Sequence, residues 1–366
     1  MSRNGFNGSY RPGDVEFLLK RLPPQPSVEI AQKEQLIQSG VRHYSEMLSQ
    51  EFLPSVRYLQ VFKDACAMNR AKMARDCLAL SSLIAARRQG PITLVSLARA
   101  GTPIGVIVKH LLDRVLGRQV VHYSVSIIRD RGIDEVALRH ILVRGHSSES
   151  IVFIDGWTGK GVISQVLKQA IINFNLRHDT AIDGGLYVLS DLAGTAACAA
   201  SSVDYLIPSS ILNATVSGLV SRSLLNDAIG PGDFHGCVYY DEFEAHDQSR
   251  AFADDLIVEG ISQVRREGLP DVVTIDRAEV LAISEKFLAL TLARHRIADV
   301  NLVKPGIGEA TRVLLRRVPR LLILRDAESP DVAHLKLLAN EKSVPVMIDK
   351  CLPYQAVSLI RSNLDA

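Results

Sequence analysis

Short apolar runs alternating with amphipathic helices predict an α/β protein built on a parallel sheet, followed by a smaller unit of the same kind. Three observations carry this. Runs such as Ile92-Thr93-Leu94-Val95-Ser96-Leu97 and Ser150-Ile151-Val152-Phe153-Ile154 have strand length and are each followed by a helical pattern, the rhythm of βαβ units. After about residue 290 the rhythm breaks off, and it restarts at Ile297. The chain of 366 residues is too long for one average domain and comfortable for two.

Hydrophobic residues make up 47% and charged residues 22%, which excludes wholesale disorder. A total of 42 Lys and Arg against 40 Asp and Glu leaves +2, which excludes a uniformly basic nucleic-acid coat but allows a local basic patch. No apolar run approaches the roughly 20 residues of a membrane-spanning helix, so no membrane partner is expected. The opening MSRNGFNGSYRPGD lacks the apolar core of a signal peptide. Cysteines stand at 66, 77, 198, 237 and 351, widely spread and without a CxxC pair, so neither a zinc ribbon nor a disulfide framework is expected. A cytoplasmic location, where thiols stay reduced, fits that usage.

Taken in order, residues 1–90 read as an N-terminal helical segment. A Pro-rich turn, Leu22-Pro23-Pro24-Gln25-Pro26, precedes amphipathic helices over 28–50 and 64–88. The second carries Ala65, Met68, Ala71, Met73, Leu78, Leu80 and Leu83 near helical spacing and ends at Gly90-Pro91. Residues 91–290 hold the main sheet, with strands expected at 92–97, 120–128, 150–154, 185–190 and 205–207 and helices at 103–116, 135–144 and 162–173. Residues 247–290 read as helical and then mixed, broken at Gly268-Leu269-Pro270. Residues 297–366 form a small α/β/α unit: helix 306–317, strand 321–324, helix 331–340, strand 344–348 and helix 354–362. Ligands of parallel sheets sit at the carboxyl ends of the strands, which directs attention to the loops after Leu97, Ile128 and Ile154.

The stretch Ile151–Val162 is the most informative. A buried strand delivers Asp155, and Thr158-Gly159-Lys160-Gly161 opens a helix. Glycines let backbone N–H groups converge on a phosphate, and the helix N-terminus adds its positive end. Asp155 can accept hydrogen bonds from ribose hydroxyls. Gly156 and Gly159 are too close for a P-loop, which needs four residues between its first Gly and the Gly-Lys pair. The plain alternative is a turn-forming Asp and glycines that merely close a βα loop.

This stretch resembles the phosphoribosyl-pyrophosphate (PRPP) motif of the type I phosphoribosyltransferase family, departing from it at Gly156, where that family usually has a second acid. Leu97–Gly105 is similar to the same family's pyrophosphate loop, and Ile128–Asp134 stands where the family has a flexible hood. The resemblance implies a type I phosphoribosyltransferase-like sheet with Asp155 and Arg99 as catalytic residues. It implies PRPP held by Arg99, Ala100, Gly101, Thr102, Asp155, Thr158, Gly159, Lys160 and Gly161. It also implies a hood formed by Arg129 and Arg131, and Mg²⁺ carried in with PRPP rather than held at a protein metal site. Asp233, Phe234 and His235, after Gly230-Pro231-Gly232, are expected to hold a nucleobase-like or RNA acceptor; the alternative is a turn packed by Phe234.

Pro305–Arg312 is similar to the Gly-x-Asn-Glu-x-x-Lys signature of Pelota-type RNA-binding domains. Gly306 and Glu309 match, Gly308 replaces Asn and Arg312 replaces Lys. The resemblance implies RNA binding through Gly306, Gly308, Glu309 and Arg312, with Arg316, Arg317 and Arg320 adding charge. A solvated basic helix face is the plain alternative. The pairing of the two resemblances is similar to a bacterial family found with tellurium-resistance and stress-response operons and also described as StiP-like cysteine proteases. It implies PRPP-dependent transfer that makes a ribosylated metabolite or nucleoside. The other readings are a non-catalytic PRPP- or nucleotide-sensing RNA-binding protein and a cysteine protease, and a homo-oligomer is compatible with all three. His235 and Cys237 are near each other only in sequence, and Cys66 and Cys77 lie on a helix where free Cys acts as a small hydrophobe.

Overall fold

Twenty-two strands and helices organise residues 5–362, the part of the chain that a computed structural model describes. The first half contains β1 (Glu16–Leu18), β2 (Lys20–Leu22), α1 (Ile30–Gln38), α2 (Val56–Arg87), β3 (Ile92–Ala98), α3 (Thr102–Arg114), β4 (Val120–Ile128), β5 (Gly132–Ile133) and α4 (Glu135–Val143). Then come β6 (Ile151–Thr158), α5 (Val162–His178), β7 (Leu186–Asp191), β8 (Cys198–Ser201), β9 (Gly236–Val238), α6 (Ser249–Glu267) and α7 (Arg277–His295). The C-terminal unit has β10 (Val303–Pro305), α8 (Ile307–Arg316), β11 (Pro319–Leu324), α9 (Ala333–Glu341), β12 (Val346–Ile348) and β13 (Ala356–Ile360).

The main sheet runs β1-β4-β3-β6-β7-β8 with every pair parallel, and β5 turns back antiparallel onto β4. Its central strands are covered on both faces, which is why they read as continuous apolar runs. Alternation along β3 and β6 sends Leu94 and Val152 into a core shared with α2, α3 and α6. Val95 and Phe153 enter the opposite core under α4 and α5. The C-terminal unit is a second sheet, β10-β13-β11-β12, in which only β11 and β12 are parallel. The chain is therefore a mixed α/β protein with a mostly parallel main sheet.

Several expected elements are corrected. The helix over 28–50 stops at Gln38, where Gly40 takes a left-handed φ of 71°. Helix α2 starts at Val56 rather than 64, because Ser55 caps it by accepting from the Tyr58 N–H. Residues 1–90 are not helical throughout, since β1 supplies the edge of the main sheet. Residues 205–207 form no strand; the Ala-rich β8 takes that edge. The expected helix 354–362 is β13, a fully buried strand between β10 and β11. A run of five buried residues carries no helical or strand period of its own. Finally, β6 extends to Thr158, so Asp155 lies within a strand rather than at its tip.

The two units meet along α8. Asp204 Oδ1 accepts from the Ile307 N–H at 3.0 Å, and Oδ2 accepts from the Gln355 N–H at 2.8 Å. The guanidinium of Arg312 lies over the Trp157 ring, 4.5 Å from its centroid. Arg317 pairs with Glu34, and Tyr354 donates its hydroxyl to the Leu192 carbonyl at 3.3 Å. Hydrogen bonds to an ionised acceptor contribute about 1.5–3 kcal/mol each. Asp204→Ala is expected to destabilise the C-terminal unit by about 2–4 kcal/mol, read as an early phase in urea unfolding that the wild-type chain lacks.

Candidate functional site

Between the carboxyl ends of the main sheet and α8 lies a cavity of about 520 Å³, within the roughly 300–1,000 Å³ of ordinary ligand pockets. Its wall carries Lys33, Arg99, Arg129, Lys160, Arg222, Lys304, Arg312, Arg316 and Arg317 against only Glu34, Glu51, Asp155 and Glu309. An uncompensated cationic wall of this kind is built for an anion.

Local structure places each group. Arg99, joined to Ala98 by a cis peptide, donates to the Val220 carbonyl at 2.6 Å and pairs with Glu51 at 2.5 Å. Arg222 donates to the carbonyls of Tyr44 and Met47, and Arg316 donates to Asn213 Oδ1. Burial pushes Arg222 down to about 10 and Arg316 down to about 9, and Arg99 repels both. Burial, then Arg222, Arg316 and Arg317, push Lys33 down to about 7. Lys160 donates to the Val300 carbonyl and is also pushed to about 7, by burial and then by Lys304.

At the turn after β6 the Thr158 hydroxyl is committed to Asp191, which also accepts from the N–H groups of Ala193 and Ala196. Gly161 starts α5 with φ 76°, and a Cβ there would lie 2.4 Å from Thr195. Trp157 projects to the C-terminal unit, where a Cβ on Gly308 would lie 2.4 Å from its ring. The Asn of the Pelota signature is replaced by Gly308 at the place where the Trp157 ring needs the space. Loss of water pushes Asp155 up to about 6, opposed by Arg312 and by the Gly156 N–H at 2.8 Å.

The cavity brings together Arg99, Asp155, Thr158, Gly159, Lys160, Gly161, Arg129, Glu309 and Arg312. Ala100, Gly101 and Thr102 lie outside its wall, the Thr102 hydroxyl bonding to Ser124 at 2.7 Å. Arg131 points away to Glu46, at 3.5 Å. The expected acceptor group is elsewhere: Asp233 pairs with Lys20 at 2.6 Å, Phe234 packs edge-on to His140 in the core, and His235 Nδ1 lies 2.8 Å from Ser126 Oγ. An apolar ring beside a sheet joins the core rather than waiting for a base. Gly306, Gly308, Glu309 and Arg312 face the main sheet, not open solvent. Lys33, Glu51, Arg222 and Lys304 escaped the sequence reading because nothing in their local pattern marks them. Among the described residues no group of three or more His, Cys, Asp or Glu is placed to hold a metal. No helix among them is long and apolar enough to cross a membrane.

A family model described as "Tellurite-like stress resistance cysteine protease StiP" matches residues 8–257. A curated protein of Acinetobacter baylyi (strain ATCC 33305 / BD413 / ADP1), named cysteine protease StiP, is 40% identical over 377 residues, covering 98% of this chain and 95% of that protein. The chain belongs to the StiP family. A PELOTA RNA-binding domain model matches residues 282–362. A solved aminotransferase from Eubacterium rectale aligns at 10% identity over 78% of this chain and 67% of that one, with a TM-score of 0.23, which carries no argument.

The StiP match overturns the expected PRPP-dependent transferase, since the relative carries the name of a peptidase and PRPP finds no support as a partner. The phosphate-loop resemblance misled because a Gly-rich βα turn reports backbone geometry and not the reaction performed beside it. The thiols of this StiP-family chain stand apart from the cavity, whose wall includes none of them. Burial pushes Cys66 and Cys237 up to about 12, and Cys77 and Cys198 are raised as well. Cys351 is exposed on the C-terminal unit.

Asp155 sets a pH dependence. Its folded carboxyl titrates near 6, above the unfolded value of about 3.9, so the folded state binds the proton more tightly. The stability this group adds is full below about pH 4 and is lost as pH rises toward 6. Asp155→Asn is expected to stabilise the protein at pH 7.5 by at most about 3 kcal/mol and to leave it unchanged near pH 4, as read by melting temperature.

Proposed function

We propose that this chain is a stress-resistance protein that acts as a thiol-dependent peptidase and binds RNA through its C-terminal unit. The observation that carries the peptidase reading is the 40% identity, over 98% of the chain, to a protein named cysteine protease StiP. The RNA reading rests on the domain match over residues 282–362, within which Gly306 and Glu309 keep the signature and Gly308 and Arg312 stand in for its Asn and Lys.

A thiol peptidase needs a thiolate to attack the scissile carbonyl. Cys237 is the assigned nucleophile; Arg21 and Arg99 act against the burial that raises its thiol, as Arg87, Arg277 and Arg88 do at Cys198. In the folded resting state burial outweighs them and holds the thiol protonated. Cys237 lies in the main apolar core on β9, beside Arg21 of β2, so the thiol is reached only when that packing opens. The resting enzyme is thus of low thiol reactivity.

Two measurements check this. Cys237→Ala is expected to abolish hydrolysis of a denatured protein substrate such as casein, whereas Cys66→Ala and Cys351→Ala retain it. Equal activity in all five single Cys→Ala variants would remove the thiol mechanism. In the native protein at pH 7.5, iodoacetamide is expected to label Cys351 first and Cys237 at least about tenfold more slowly, as read by peptide mass mapping.

A further inference from the structure

We infer that the cavity is a composite RNA site, in which the phosphates of a single strand are held at once by cations of the C-terminal unit and by cations of the main-sheet half. This rests on reading the C-terminal unit as RNA-binding, and it adds Lys160 and Arg222, which lie outside that unit, to the RNA contact.

Orientation is the first support. The signature helix α8 does not present its residues outward. Gly308 lies against Trp157, Arg312 covers the same ring, and a Cβ on Gly159 would meet Glu309 at 2.9 Å. Any strand that reaches this signature in the docked arrangement enters the space between the two units and meets the turn after β6.

Charge is the second. Three of the four carboxylates in the wall are engaged in ion pairs, Glu51 with Arg99, Glu309 with Arg312, and Glu34 with Arg317, and the fourth, Asp155, accepts from the Gly156 N–H. Arg222, Arg316 and Lys160 donate to neutral carbonyl and amide oxygens, and none of the three forms an ion pair with the wall carboxylates among the described residues. Burial first, and then the neighbouring cations, lower the titration of Lys160, Lys304 and Arg316, with Glu309 and Glu51 opposing only in part. A chain with one negative charge per nucleotide supplies negative charge at repeated spacing.

Donor supply is the third. Arg316 Nε and Trp157 Nε1 are buried without hydrogen-bond partners among the described atoms, and unpaired buried donors are costly. Both residues line the cavity, as does the Tyr44 ring. A phosphate oxygen satisfies such an N–H at Arg316, whereas Trp157 Nε1 lies against Gly308 and the Tyr44 ring is covered by Arg129 and Arg222.

The experiment is fluorescence anisotropy of a labelled single-stranded 12-mer RNA against the full chain over a salt series. The variants are Lys160→Gln and Arg222→Gln on the sheet half, Arg312→Gln on α8, and Arg139→Gln on the far helix α4 as a control. Each of the first three is expected to weaken binding by roughly five- to thirtyfold and to flatten the salt slope by about one, while the control leaves both unchanged. Lys160→Gln relieves repulsion, so its melting temperature is expected to hold or rise, which separates lost contact from lost fold. Binding reduced by Arg312→Gln but untouched by Lys160→Gln and Arg222→Gln overturns the composite site and leaves the RNA reading of the C-terminal unit standing. Absence of RNA binding by the wild-type chain, or tighter binding of a poly-glutamate peptide than of RNA, overturns both.

Discussion

The buried carboxylate of Asp204 is the constraint on which the rest of the site depends. It receives the first N–H of α8 and the N–H that leads into β13, so one side chain fixes two elements of the C-terminal unit against the main-sheet half. A negative group at a helix N-terminus is favoured by the helix dipole as well as by hydrogen bonds. Burial pushes this carboxyl up to about 6, and the backbone N–H groups offset part of that cost. With α8 held there, Arg312 falls over Trp157 and Glu309 beside Gly159. The second wall of the cavity exists only because of this docking.

What the chain revealed before its fold was known divides along a physical line. Strands β3, β4 and β6 were legible because a doubly covered parallel strand must be apolar along its length. The turn at Thr158–Gly161 was legible because a left-handed start to a helix demands glycine. Strand β8 was not, since Cys-Ala-Ala-Ser offers no β-branched signal. Strand β13 was misread because five buried residues fit either element. In the site the division is the same: Asp155 and Lys160 belong to a local motif, whereas Glu51, Arg222 and Lys304 reach the cavity through contacts between segments far apart in sequence. The acceptor assigned to Phe234 failed because an aromatic residue in a Gly-rich loop looks the same whether it awaits a ligand or fills a core.

Two departures from known signatures explain each other. The sole Trp follows the position where a second acid was expected, and Gly308 occupies the position where an Asn was expected. In the fold they are in contact, the glycine leaving room for the indole and Arg312 closing over it. A cation over an indole contributes about 0.5–2 kcal/mol depending on desolvation. Neither change is a simple loss of a functional group. Together they convert a free turn and a free helix start into an interface, and the residues that a lone domain would display to solvent now line an internal space.

The separation of thiols from cations follows from this arrangement. A thiolate gains from nearby guanidinium groups, so the cationic wall is the most favourable environment in the molecule for an ionised cysteine. None of the five cysteines is in it. Cys237 lies one layer behind, close enough to feel Arg99 yet packed in the main apolar core on β9. Arg99 itself is held on the cavity side, paired with Glu51 and donating to the Val220 carbonyl.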